Sequence, residues 1–152
     1  MITYHERADL FTFPSGARAH GCNTRGAAGG LAGEVFSRLP EMHYVYKHAC
    51  ANGIEAGDMI AFQEDSGTWW YNLMSQVEAG PDAKVEYIVE SLTKAVAHAE
   101  THGVATLTIP AIGAGIGGLK FADVRAALYE EFMDSTFHIQ CVTRGRFSEY
   151  EF

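Results

Sequence analysis

Two stretches of backbone carry the strongest chemical signal in this chain. Gly26-Ala27-Ala28-Gly29-Gly30-Leu31-Ala32-Gly33 holds four glycines and Gly113-Ala114-Gly115-Ile116-Gly117-Gly118 holds four more, so half of the 16 glycines fall in two short windows. Average usage of about 7% would give roughly 11 glycines in a chain of this length. Without Cβ atoms, backbone can come close to a ligand, and consecutive N–H groups can ring an anion. Where such a loop opens a helix, the helix N-terminus adds about half a positive charge. The chemistry indicated is a phosphate or pyrophosphate site that needs no lysine, although glycines of this kind also serve tight turns. Beside the first window stands His20-Gly21-Cys22-Asn23. His20 is the titratable group best placed to serve there as general acid or base on a water, and a hydrogen-bonded structural histidine is the alternative. Asn23 offers an amide either to a ligand or to an Asx turn at the end of a strand.

These windows need elements that bring them together. Ile2–His5 and Arg18–Cys22 are short strands. Leu31–Leu39 places Leu31, Val35 and Leu39 on one helix face and stops at Pro40. Glu41–Ala51 is a second helix, closed by Asn52-Gly53. Met59–Glu64 and Trp69–Met74 read as strands joined in a hairpin by Asp65-Ser66-Gly67. Val85–His102 is the clearest helix: Val85, Ile88, Val89, Leu92, Val96 and Ala99 recur every three or four residues, and Gly103 ends it. Thr106–Ile109 is a buried, β-branched strand, Phe121–Phe132 a helix and His138–Thr143 a last strand. Strands alternating with helices, apart from one hairpin, imply a three-layer α/β/α domain with a mixed, mostly parallel central sheet. Each glycine window then follows a strand and leads into a helix, which puts both at the carboxyl ends of strands, where ligands bind in open α/β sheets.

Composition bounds the function. The 152 residues suit one domain, 1–152, and nothing in them reads as a linker or repeat. A net charge of −8, from 19 acids and 11 bases, argues against duplex nucleic acid as a general partner and against an anionic membrane surface. It is compatible with one compact anionic ligand met by oriented amides. No long apolar run and no signal-peptide pattern appear, and Cys22, Cys50 and Cys141 have no metal-site spacing, so a cytoplasmic protein with reduced thiols and no metal is expected. Gly113-x-Gly115-x-x-Gly118 satisfies the dinucleotide fingerprint literally, but it comes late in the chain and the next strand ends at Thr143-Arg144 with no acid. The P-loop signature is absent.

Taken together, the stretches Ala19–Ala32 and Thr108–Phe121 resemble the two ligand loops of the macrodomain family, whose members bind ADP-ribose, and Asp9-Leu10-Phe11 is similar to the family's short adenine-reading motif. The resemblance covers nearly the whole chain. It implies that Asp9 accepts a hydrogen bond from the adenine amino group beside Leu10. It further implies that Gly29, Gly30 and Leu31 line the first loop and that Asn23 orients the distal ribose. Gly113, Ala114, Gly115, Ile116 and Gly117 would then hold the pyrophosphate and proximal ribose. Within the family the chain resembles the branch of ADP-ribose 1″-phosphate phosphatases, terminal ADP-ribose protein glycohydrolases and antitoxins that reverse DNA ADP-ribosylation. The His20–Asn23 pattern fits the phosphatases, which would make His20 and Asn23 the catalytic residues. Two departures stand out: Gln76 occupies the place of the glycohydrolase lysine, and Gly117 that of its second-loop aspartate. Glutamine cannot form the covalent sugar adduct that an amine can. Leu31 and Ala32 stand where other de-ADP-ribosylating macrodomains carry an aspartate.

The expectation is therefore a monomeric, cofactor-free macrodomain that binds ADP-ribose or a derivative and hydrolyses a distal-ribose substituent, the 1″-phosphate first. The alternatives are a non-catalytic reader or sequestering module, and a hydrolase that removes ADP-ribose from protein or nucleic acid. Phe121 and Phe147 are candidate stacking aromatics or core residues. Glu34 could support a water or complement the helix dipole. His98 and His102, four apart on a helix, have no third metal ligand in view.

Overall fold

The computed structural model describes residues 1–152. Its elements run β1 (Ile2–His5), β2 (Ala17–Asn23), α1 (Gly30–Arg38), α2 (Pro40–Ala51), β3 (Met59–Gln63), β4 (Trp69–Gln76), α3 (Val85–Thr101), β5 (Thr106–Ile109), α4 (Phe121–Phe132), β6 (His138–Val142) and a closing 3₁₀ turn, Phe147–Tyr150. Each expected element is present, with boundaries shifted by a residue or two. Pro40 does two jobs at the α1–α2 joint: it cannot extend α1, and at the first position of α2 its missing N–H is not needed.

The six strands form one sheet in the order β1-β6-β5-β2-β4-β3. All neighbours are parallel except the β3–β4 hairpin. This is the mixed, mostly parallel sheet that the alternation of elements implies. Period-2 alternation in the inner strands splits the core into two. Ala17 and Ala19 of β2 and Tyr71 and Leu73 of β4 face a large cluster with α3 and α4, which includes Ile88, Leu92, Leu107, Phe121 and Leu128. Cys22, Trp70 and Met74 face the opposite cluster, with Val35, Phe36, Met42 and Tyr46 of α1 and α2. Both faces of the inner strands are thus covered, which is why β4 is buried along nearly its whole length. Leu92 is fully buried in the larger cluster, where truncation to alanine costs about 2–5 kcal/mol.

The parallel strands β2, β4, β5 and β6 all point their carboxyl ends to one edge of the molecule, and the loops that follow them meet there. At that edge the β2–β4 register slips between Cys22 and Asn23, so Cys22 pairs with Met74 but Asn23 with Gln76. Irregularities of this kind re-aim side chains next to sites. No helix is long and apolar enough to cross a membrane.

Candidate functional site

The loops enclose a cleft of about 620 Å³, within the range of small-molecule sites. One wall is the first glycine window with the start of α1, and the facing wall is the second window. Gly30 and Ile116 meet across the cleft: Gly30 has φ +54, and a Cβ there would lie 2.6 Å from Ile116 Cδ1. Only glycine gives both the left-handed backbone and that clearance. Gly117 is confined differently, since a Cβ would come within 2.8 Å of both Ala83 Cβ and the Gly113 carbonyl.

The electrostatics come from the backbone. The N-cap of α1 is Gly29, and no side chain caps this helix. The first amides of α1 therefore face the cleft with the positive end of the helix dipole behind them. In the second window, Ala114 donates to the Ala111 carbonyl, Gly118 to Gly115 and Leu119 to Gly113, while the amides of Gly113, Gly115, Ile116 and Gly117 have no protein acceptor. Two arrays of free N–H groups thus line one cleft, an arrangement suited to a pyrophosphate. The charged side chains on the lining are Glu34 and Arg144, with no lysine among them.

Most expected site residues lie on this cleft: Leu10, His20, Asn23, Gly29, Gly30, Leu31, Gly113, Gly115, Ile116 and Gly117. Ala114 instead packs against the larger core cluster. Asp9 lies just beyond the lining, between Ala8 and Leu10, which are part of it. Its Oδ1 accepts from the Phe11 amide at 2.7 Å and its Oδ2 from Arg144 Nε at 3.2 Å.

His20 is 1% exposed. Its Nε2–H donates to Asn72 Oδ1 at 2.7 Å, and Asn72 Nδ2 in turn donates to the Ile60 carbonyl at 3.1 Å. The ring meets Phe36 and Trp70 edge-on. Burial pulls its pKa down to about 4, against a smaller opposing effect of the Asn72 hydrogen bond. At neutral pH it is an uncharged imidazole whose Nε2 is already engaged. The Asn23 amide also makes local bonds. Its Oδ1 accepts from the amides of Arg25 and Ala27, its Nδ2 donates to the Ala27 carbonyl, and Tyr46 Oη donates to the Asn23 carbonyl at 2.7 Å. Asn23 therefore shapes the first loop as an Asx turn at the cleft floor.

Gln76 is nearly buried on the lining and donates from Nε2 to the carbonyls of Glu78 at 2.6 Å and Gly80 at 2.8 Å. It fixes the 77–80 loop and presents no nucleophile. Glu34 pairs with Arg144 and Arg38. The Arg144 hydrogen bonds are the main cause that holds its carboxyl below the usual range. Phe121 and Phe147 belong to a buried aromatic group with Tyr4 and Phe152, away from the cleft. Sequence reasoning passed over Arg144 and Tyr150 as site residues, although both line the cleft. The position of Arg144 just past the last strand was the available signal, because ligands collect at strand carboxyl ends.

The sequence profile of the Macro domain family matches residues 19–128, which include both glycine loops, β5 and most of β2. The chain belongs to this family. Among curated proteins, this macrodomain is 29% identical over 137 residues to the DNA ADP-ribosyl glycohydrolase of Mycobacterium tuberculosis, covering 87% of this chain and 39% of the relative. It is 25% identical over 129 residues to the enzyme of the same name from Thermus aquaticus, with 82% and 36% covered. The chain thus spans less than half the length of these relatives. Among solved structures, it superposes on the macrodomain of Mycobacterium tuberculosis DarG with a TM-score of 0.81 at 27% identity, covering 93% of this chain and 96% of that one. The fold is shared with Thermosipho africanus DarTG in complex with ADP-ribose, at a TM-score of 0.78 and 22% identity, covering 88% of this macrodomain and 39% of that chain.

Proposed function

We propose that this macrodomain binds ADP-ribose, and that its ligands are ADP-ribosyl groups carried on a target. One observation carries the reading: two opposed arrays of free backbone amides, one at the uncapped start of α1 and one in the Gly113–Gly117 loop, share a cleft of suitable volume. Such a cleft can hold a doubly charged pyrophosphate in a chain whose net charge is −8. The relatives support the ligand class, since they are named as DNA ADP-ribosyl glycohydrolases and one structural neighbour is described in complex with ADP-ribose.

The 1″-phosphatase expectation leans on His20 as an acid–base group. In the buried, neutral ring Nε2 is engaged by Asn72, which leaves Nδ1 as the atom that could accept a proton. Recognition of an ADP-ribosyl group needs no side-chain nucleophile on the lining. A second reading is removal of ADP-ribose from an adduct, and its support is the 29% identity to the glycohydrolases. In this cleft such a reaction would use water rather than a lysine adduct, because Gln76 stands where the amine would be.

Incubation with an ADP-ribosylated DNA oligonucleotide and an ADP-ribosylated protein separates the readings. Stable capture of either adduct with no release of free ADP-ribose is the outcome for a reader. Catalytic release establishes the hydrolase. Neither capture nor release would refute the proposal.

A further inference from the structure

Helices α3 and α4 pack side by side on one face of the sheet and leave a groove of about 630 Å³ between them. None of the residues on its walls lines the cleft at the strand ends. Its floor is Val85 and Val89, one turn apart on α3, with Ala127 of α4, and all three are half-buried. Four exposed carboxylates rim it: Glu86 and Glu90 from α3, Glu130 and Glu131 from α4. We propose that this groove docks a partner protein through an amphipathic helix, one whose apolar stripe is flanked by lysines or arginines. The proposal does not depend on what the cleft binds.

The rim is not neutralised from within the chain. No salt bridge involves Glu86, Glu130 or Glu131. The one cation on the walls, Lys94, is already held by Glu90 Oε1 at 3.3 Å, Asp58 Oδ1 at 3.2 Å and the Gly57 carbonyl at 3.2 Å. Glu86 and Glu90 stand four residues apart, where like charges weaken a helix. Glu130 and Glu131 fall in the last turn of α4, which holds no base, so they meet the negative end of the helix dipole. Charges placed against the stability of the free chain suit a cationic partner that relieves them.

The shape of the groove selects the form of that partner. Its apolar floor asks for side chains as well as charge. Along α3 it runs from Val85 to Lys94, about 14 Å at 1.5 Å per residue, which matches two to three turns of a docked helix. Both walls are helices whose backbone groups are bonded internally. A guest finds no strand edge to pair with and must satisfy its own backbone, as a helix does. A second copy of this chain lacks the complementary face, because each of the four α-helices carries a single Lys or Arg: Arg38, Lys47, Lys94 and Arg125. Anionic lipid and nucleic acid are repelled by the same rim.

The test is fluorescence anisotropy with a labelled Leu/Lys peptide of about five helical turns, its leucines at helical spacing, with melting temperatures measured alongside. A scrambled peptide of the same composition, with no apolar face, is the reference. The parent chain should bind the amphipathic peptide about tenfold more tightly than the scrambled one, and more weakly as salt rises. Glu130→Gln combined with Glu131→Gln should weaken binding about fivefold, the scale of two exposed charge pairs, and should melt no lower than the parent. Val89→Ser should weaken binding about tenfold by removing an apolar anchor. Glu41→Gln combined with Asp65→Asn removes two exposed charges outside the groove and should leave the affinity unchanged. Absence of binding, equal binding of the scrambled peptide, or an equal loss in the Glu41/Asp65 variant would overturn the proposal. A lower melting temperature in the Glu130/Glu131 variant would assign those carboxylates to the fold and overturn it as well. Self-association of the parent chain without peptide binding would make a second copy the occupant, against the proposal.

Discussion

The Nε2 atom of His20 lies 2.7 Å from Oδ1 of Asn72, and the two side chains are 1% and 0% exposed. Burial decides the protonation of the residue that the sequence offered as a catalytic acid or base. In the fold the ring takes a proton only near pH 4, while an unfolded histidine does so near 6.5. Between those values the unfolded chain binds more protons, so stability is present above about pH 6.5 and is lost as pH falls toward 4. The full effect is roughly 3 kcal/mol from this one group. Burial also lowers the pKa of His43 and His98, which adds to the same slope. Chemical denaturation at pH 7.5 and pH 5 should show the loss, and His20→Gln should flatten it. An unchanged slope in His20→Gln would contradict the assignment.

Tyr46 holds the first glycine loop from below. Its hydroxyl lies 2.7 Å from the Asn23 carbonyl and 3.1 Å from the Ala27 carbonyl. The group is buried, and burial pushes its pKa upward. Tyr46→Phe removes the donor and keeps the ring, which should cost about 1–2 kcal/mol of stability and weaken ADP-ribose binding through a looser loop. Urea titration and a binding isotherm read the two effects. Full retention of both would show that the hydroxyl does not brace the loop.

Two glycines in the second loop should respond differently. A Cβ at Gly115 meets nothing within 4 Å, whereas one at Gly117 collides with Ala83 and the Gly113 carbonyl. Gly115→Ala should therefore fold like the parent, and Gly115→Glu should fold but lose binding through charge and bulk at the pyrophosphate. Gly117→Val should cost about 1–3 kcal/mol by overpacking. Thermal melts with binding measurements separate the cases. ADP-ribose binding that survives Gly115→Glu would remove this loop from the site.

Much of this molecule can be read from local pattern. The α3 periodicity follows from one face needing burial, and the helix appears where the spacing puts it. The glycine windows were legible for the same reason: backbone chemistry is local, and a strand–loop–helix context fixes where it points. Side-chain roles were less legible. The hydrogen-bond partner of His20 is Asn72, 52 residues away, and one partner of Asp9 is Arg144, 135 residues away. Phe147 reads from sequence as either a stacking aromatic or a core residue, because its partners Tyr4 and Phe152 come from the opposite ends of the chain. Pairings across a parallel sheet leave no mark on local spacing.

We propose that opposed backbone amides make this cleft an ADP-ribose site. Calorimetric titration of the purified chain with ADP-ribose tests it most directly. One saturable site per chain is expected, bound with little dependence on ionic strength, because amides rather than mobile lysines meet the charge. Absence of heat at millimolar ADP-ribose, in a chain that melts cooperatively, would contradict it.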